Sequence, residues 1–210
     1  LDGLQSLSAK EDCCIHPNKY RMLDCFFHLP KLNTVEYSSY FLNEFIPKYK
    51  VIEELDRTKS TKSISYVQYF IFQMPNLLKF NAHLKLVYNF PDIEYFLIFK
   101  HHTDQPIHAD GLQILRHSSL NLPISGYENT KTIFYKETFV NPNREIRDAN
   151  YYNIENLSPI AELQGTNDWV MINTGIPHQV IGATASNPRI TVCFRFFSNP
   201  TINRLLEGIP

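Results

Sequence analysis

Residues 93–111 read IEYFLIFKHHTDQPIHADG. The first nine are dominated by aromatic and branched aliphatic side chains, the composition of a buried strand. Thr103, Asp104, Gln105 and Pro106 then have turn chemistry, with an aspartate near the start and a proline at the close. A second strand opens near His108 and is stopped by Gly111. The same rhythm continues to residue 198. LQILRHSSLNLPIS, KTIFYKETF, NIENLSPIAELQ, DWVMINTG, PHQVIG and RITVCFRFF follow one another, separated by GYENT, NPNRE, GTND and TASNP. About eight short strands at this spacing predict an antiparallel jelly roll, cupin-like, in place of a parallel sheet with crossover helices.

Upstream, residues 34–56 carry apolar residues at mixed steps and predict a helix interrupted near Pro47. Residues 63–72, SISYVQYFIF, have strand composition, and NLLKFNAHLKLVYN fits helix or strand. The tail TINRLLEGIP predicts a short helix. The organisation expected is an N-terminal elaboration over 1–90, a β core over 91–200 and a tail over 201–210, within the size of one medium domain.

With 43% hydrophobic and 20% charged residues and a net charge of −1, the chain has the balance of a soluble globular protein. That balance gives no reason to expect nucleic acid or an anionic membrane as partner. The sequence has no apolar run of the roughly 20 residues that span a bilayer, and no basic-then-apolar leader. Cys13-x-x-His16 and Cys25-x-x-His28 look only superficially like a zinc site, because the gap between them is short and no helix pattern frames the histidines. Reduced thiols in a cytoplasmic protein are the simpler reading of the four cysteines.

The opening stretch holds His-x-Asp twice, at His102/Asp104 and His108/Asp110. Side chains two apart on a strand point the same way and can grip one ion. The first pair falls in the predicted turn, where solvent is its expected partner. The second lies on a strand, although with eight histidines in 210 residues the pattern alone is weak. It gains weight from His178, which opens a strand after Gly175-Ile176-Pro177. Two histidines and a carboxylate on one octahedral face suit non-haem Fe(II). Eleven residues on, Arg189, Thr191, Cys193 and Arg195 alternate with Ile190, Val192, Phe194 and Phe196. If the polar face looks inward, Arg189 requires an anion, and its fork matches a carboxylate with Thr191 beside it. If the aromatic face looks inward, both arginines are solvated. The sequence permits either.

In this order His108-Ala109-Asp110, His178 and Arg189-Ile190-Thr191 resemble the Fe(II)- and 2-oxoglutarate-dependent dioxygenases. LRHSSLNLPISGYENTKTIFY and INTGIPHQV look like segments of the aspartyl/asparaginyl β-hydroxylase-like and prolyl-hydroxylase-like members. The resemblance covers about residues 93–198. It implies a double-stranded β-helix, mainly β with flanking helices, and Fe(II) held by His108, Asp110 and His178. It also implies that Arg189 and Thr191 bind the far carboxylate of 2-oxoglutarate, with O2 as the other cosubstrate. The activity implied is hydroxylation of an unactivated C–H bond in an amino acid, peptide or small metabolite, with release of succinate and CO2. Asp110 departs from those asparaginyl-type members that lack the carboxylate, and it argues against the related halogenases. Arg116, Asn121 and Tyr135 are further candidates for the cosubstrate pocket, while Trp169 is expected in packing. The alternatives are a cupin-like barrel that binds a metal or ligand without turning over 2-oxoglutarate, and a lectin- or capsid-like binding module.

Overall fold

The computed structural model describes residues 25–29, 32–57, 63–110, 118–137, 144–146 and 149–198. Within these, two antiparallel six-stranded sheets face one another. The major sheet runs β1 (Phe26–His28), β10 (Val170–Ile172), β5 (Ser119–Ser125), β12 (Arg189–Phe196), β3 (Ile93–His101) and β2 (Ile64–Phe70). The minor sheet runs β7 (Arg144–Ile146), β8 (Ala149–Tyr151), β4 (His108–Asp110), β11 (His178–Ile181), β6 (Lys131–Glu137) and β9 (Leu157–Gln164). From β3 to β6, and again from β9 to β12, successive strands alternate between the sheets. This is the winding of a double-stranded β-helix, the jelly roll that the strand spacing predicts.

The major sheet is buried on both faces, and that settles the orientation of RITVCFRF. All eight residues of β12 are buried. Ile190, Val192, Phe194 and Phe196 join the main hydrophobic cluster on the outer face, and Arg189, Thr191, Cys193 and Arg195 line a cavity between the sheets. Neither single-faced reading of the strand holds, because helices cover what a two-layer sandwich would leave to solvent.

Those helices come from the N-terminal part. α1 (Thr34–Ser39) is capped by Asn33, whose Oδ1 accepts from Glu36 N at 3.1 Å. It passes into a π-helical stretch (Tyr40–Phe45) and then α2 (Ile46–Lys48). Pro47 does not break the run. It has no N–H to give and would crowd an α-turn before it, and the wider π turn precedes it. The interruption falls just later, at Tyr49 and Lys50, where Lys50 has φ 51°, before α3 (Val51–Arg57). The ambiguous NLLKFNAHLKLVYN is helical, within α4 (Pro75–Tyr88): Leu77, Phe80, Leu84 and Tyr88 form its buried stripe. Asn89, at φ 52°, closes it in the left-handed conformation.

Phe41, Phe45, Phe80, Phe96, Phe194 and Trp169 meet in the cluster between helices and sheet. Trp169 stacks on Phe80 at 4.9 Å, a packing role as expected. Fully burying each such ring contributes roughly 2–3 kcal/mol, so this layer is what holds β12 and β3 rigid beneath the cavity.

One expected connection is a strand. NPNRE has the composition of a turn, yet Arg144–Ile146 pairs with Ala149–Tyr151 at the edge of the minor sheet. Three charged or mixed residues carry no period-two signal, so the pairing is not legible locally. The zinc-like Cys13 and His16, Arg116 and the tail 201–210 lie outside the described residues. Cys25 and Cys193 are buried. No helix among the described residues is long and apolar enough to cross a membrane.

Candidate active site

The cavity between the sheets has a volume of about 780 Å³ and contains His108, Asp110, His178, Arg189 and Thr191. β4 and β11 are neighbours, and their register places His178 directly opposite His108. The two imidazoles lie 4.6 Å apart between ring centres. Each is held in the same way. His108 Nδ1 lies 3.0 Å from the Pro106 carbonyl oxygen, and His178 Nδ1 lies 2.8 Å from that of Ile176. A carbonyl only accepts, so Nδ1 is the donor in both rings, and in a neutral ring Nε2 is then the nitrogen with the lone pair. Burial, followed by the neighbouring His108, lowers the His178 pKa to about 4, so this ring is neutral near pH 7.

Asp110 completes the group. Its Oδ1 is 3.8 Å from His108 Nε2, and its backbone N–H donates to Thr174 O at 2.7 Å. Burial by itself would raise its pKa, but Arg195, His108 and His178 together outweigh that and hold it below the ordinary carboxylate value. Arg195 is the residue that sequence reasoning places on the right face without giving it a role. It is 6% exposed and donates from Nη2 to Asp110 Oδ2 at 2.7 Å, across 85 residues of chain. The only sequence signal is its two-residue phase with Arg189.

Arg189 differs. It is 3% exposed, and among the described residues its hydrogen bonds go to hydroxyls alone. Nε donates to Thr191 Oγ1 at 3.1 Å, and Nη1 reaches Thr130 and Thr132 Oγ1 at 3.5 Å. No carboxylate of the described residues lies within ion-pair distance. Burial lowers its pKa only to about 10, so the guanidinium stays charged. A buried cation is costly unless an anion meets it, and among the described residues none does.

Asn121 lines the same cavity from β5, with Oδ1 accepting from Ser119 Oγ at 2.5 Å. Tyr135 is buried on β6 but is not a wall of the cavity, so its candidacy as a pocket residue finds no geometric support. The first His-x-Asp pair is not in the cavity either. His102 Nε2 is 3.0 Å from Ser65 Oγ, and Asp104 Oδ1 accepts from Gly182 N at 2.7 Å.

Two imidazoles and a carboxylate are the right donor chemistry for a divalent transition metal. The spacing is looser than in a ligated set. Adjacent donors about 2.1 Å from an octahedral ion stand about 3 Å apart. Among the described residues no three His, Cys, Asp or Glu side chains form a ready-made metal cluster. The donors fit by type, although His108 and Asp110 stand wider apart than adjacent ligands do.

No family model and no curated protein matches the sequence. Solved structures with a similar course of chain include SnoK, a non-heme alpha-ketoglutarate-dependent carbocyclase from nogalamycin biosynthesis. It is 13% identical over 89% of each chain, with a TM-score of 0.49. HygX from Streptomyces hygroscopicus, with nickel and 2-oxoglutarate bound, is 11% identical over 82% of each chain, with a TM-score of 0.45. The vicilin of Corylus avellana is 12% identical over 64% of this chain, with a TM-score of 0.34. This chain spans only 29% of that vicilin's length. These are distant likenesses.

Proposed function

We propose that the cavity is the active site of an Fe(II)- and 2-oxoglutarate-dependent dioxygenase that hydroxylates a C–H bond of an amino acid, peptide or small metabolite. The observation that carries this reading is Arg189, a buried charge without a carboxylate partner among the described residues, sharing one cavity with two histidines whose Nδ1 atoms both face backbone carbonyls. His108, Asp110 and His178 would hold the iron. When bound, iron and 2-oxoglutarate supply the oxidising chemistry, with dioxygen consumed and succinate and CO2 released.

The chain's own residues do the positioning. The carbonyls of Pro106 and Ile176 fix both imidazoles in the ligand tautomer. Arg195 occupies Asp110 Oδ2 and leaves Oδ1 on the histidine side. Arg189 offers a fork to a carboxylate, steadied by Thr191. Leu97, Phe99 and Val180 add apolar wall that limits water around the polar groups. Cavities of this size accommodate a small dicarboxylate together with a second small molecule or side chain.

The test is spectroscopic. Anaerobic addition of Fe(II) and 2-oxoglutarate should give a weak visible charge-transfer band that His108→Ala removes. A folded wild-type protein with an unchanged spectrum would count decisively against the assignment. The 3.8 Å gap between His108 and Asp110 favours a second reading, a cupin-like barrel that binds without turnover. Absence of succinate release across a broad substrate screen, with metal and 2-oxoglutarate bound, would favour it.

A further inference from the structure

We infer that His101 is a second anchor for the distal carboxylate of the cosubstrate, acting beside Arg189. This rests on the reading of the cavity given above and adds a residue that selects a dicarboxylic 2-oxoacid over a monocarboxylic one.

His101 closes β3, and the β3–β12 register sets it directly opposite Arg189. Cross-strand partners on one face have Cβ atoms roughly 5 Å apart, so both side chains enter the same end of the cavity. His101 is 5% exposed and lines that cavity, and its Nδ1 is buried without a hydrogen-bond partner among the described residues. A buried polar nitrogen without a partner is destabilising and uncommon. Burial first, then Arg189, His108, His102 and His178, hold its pKa well below the usual histidine value, so the ring is neutral. Among the described residues, this end of the cavity thus brings together the positive charge of Arg189 and the unpartnered Nδ1 of His101.

That combination has a definite complement. A carboxylate offers about four lone-pair positions, and a guanidinium fork uses two. A neutral imidazole has one N–H, and with its proton on Nδ1 it donates to a third. An apolar or cationic group at this place would leave Nδ1 unpaired and Arg189 uncompensated. A carboxylate satisfies both.

The experiment uses zinc-loaded full-length protein, zinc being a redox-inert stand-in, titrated calorimetrically with 2-oxoglutarate and with oxalate. Oxalate has the chelating end and lacks a distal carboxylate. His101→Leu is expected to weaken 2-oxoglutarate by about 10- to 100-fold while oxalate and zinc stay within about twofold. His101→Asn, which keeps a side-chain N–H, should fall between that variant and wild type. Equal losses for both ligands would assign His101 to packing and overturn the inference, as would no loss for either. Wild-type protein that binds zinc and oxalate but not 2-oxoglutarate would overturn this inference and the proposed function together. An isotope-labelled histidine spectrum of wild type needs no variant. One ring other than the two metal-bound ones should shift with 2-oxoglutarate and not with oxalate, and its failure to shift would also sink the idea.

Discussion

His102/Asp104 and His108/Asp110 are the same pattern, six residues apart, with opposite fates. In the first pair each side chain ties one piece of backbone scaffold to another. His102 meets Ser65 across β2 and β3, and Asp104 holds the amide of Gly182 in the turn after β11. That turn needs its glycine, since Gly182 has φ 88° and a Cβ there would run into the Asn129 carbonyl oxygen. In the second pair both side chains look into the cavity, where His178 and Arg195 meet them. The difference lies in what the opposite sheet provides. Spacing along the chain can set two groups on one face, but only the neighbouring strand can make them a site.

The largest separation between the pairs is expected from deleting their histidines. His108→Ala should lose the metal and at least about 100-fold of succinate release, whereas His102→Ala should retain both within about threefold. Equal losses would erase the distinction. The two arginines of β12 sharpen it next. Arg195→Met removes one partner of a buried ion pair and should destabilise the fold by about 3 kcal/mol in urea titration. Arg189→Met removes a buried charge with no acidic partner among the described residues. It should leave stability unchanged or raise it slightly while weakening 2-oxoglutarate by roughly 100-fold. A destabilised Arg189→Met with unaltered cosubstrate binding would make that arginine structural.

Smaller effects follow in the first pair. Asp104→Ala should cost about 1 kcal/mol through the lost bond to Gly182 and leave metal affinity unchanged, checked by thermal melting with and without zinc. Smallest is the response of Cys193, which lines the cavity between Arg189 and Arg195 along β12. Burial pushes its thiol up to about 12 despite the two arginines. Alkylation of folded protein at pH 8 should therefore leave Cys193 unmodified over hours, and rapid labelling would mean that the cavity opens more than the structure implies.

Much of this is legible in the chain. Strand–turn punctuation from residue 93 onward points to the jelly roll because glycine, proline and asparagine fix local backbone geometry whatever surrounds them. The period-two phase of Arg189, Thr191, Cys193 and Arg195 puts four side chains on one face for the same reason. The short β7–β8 pairing is not legible, because a three-residue edge strand gains its structure from its partner. Nor is the role of Arg195.

What the sequence determined by itself was therefore local: which segments extend, where they turn, and which residues share a side. What only the tertiary structure decided was which side faces what. Helices formed by residues 34–57 and 75–88 cover the outer face of the major sheet, so β12 keeps its aromatic residues in a core and its arginines in a cavity. A polar face becomes a binding site when its counter-charges are set by strands 85 residues away, as Asp110 is for Arg195, and no local preference encodes a meeting at that range.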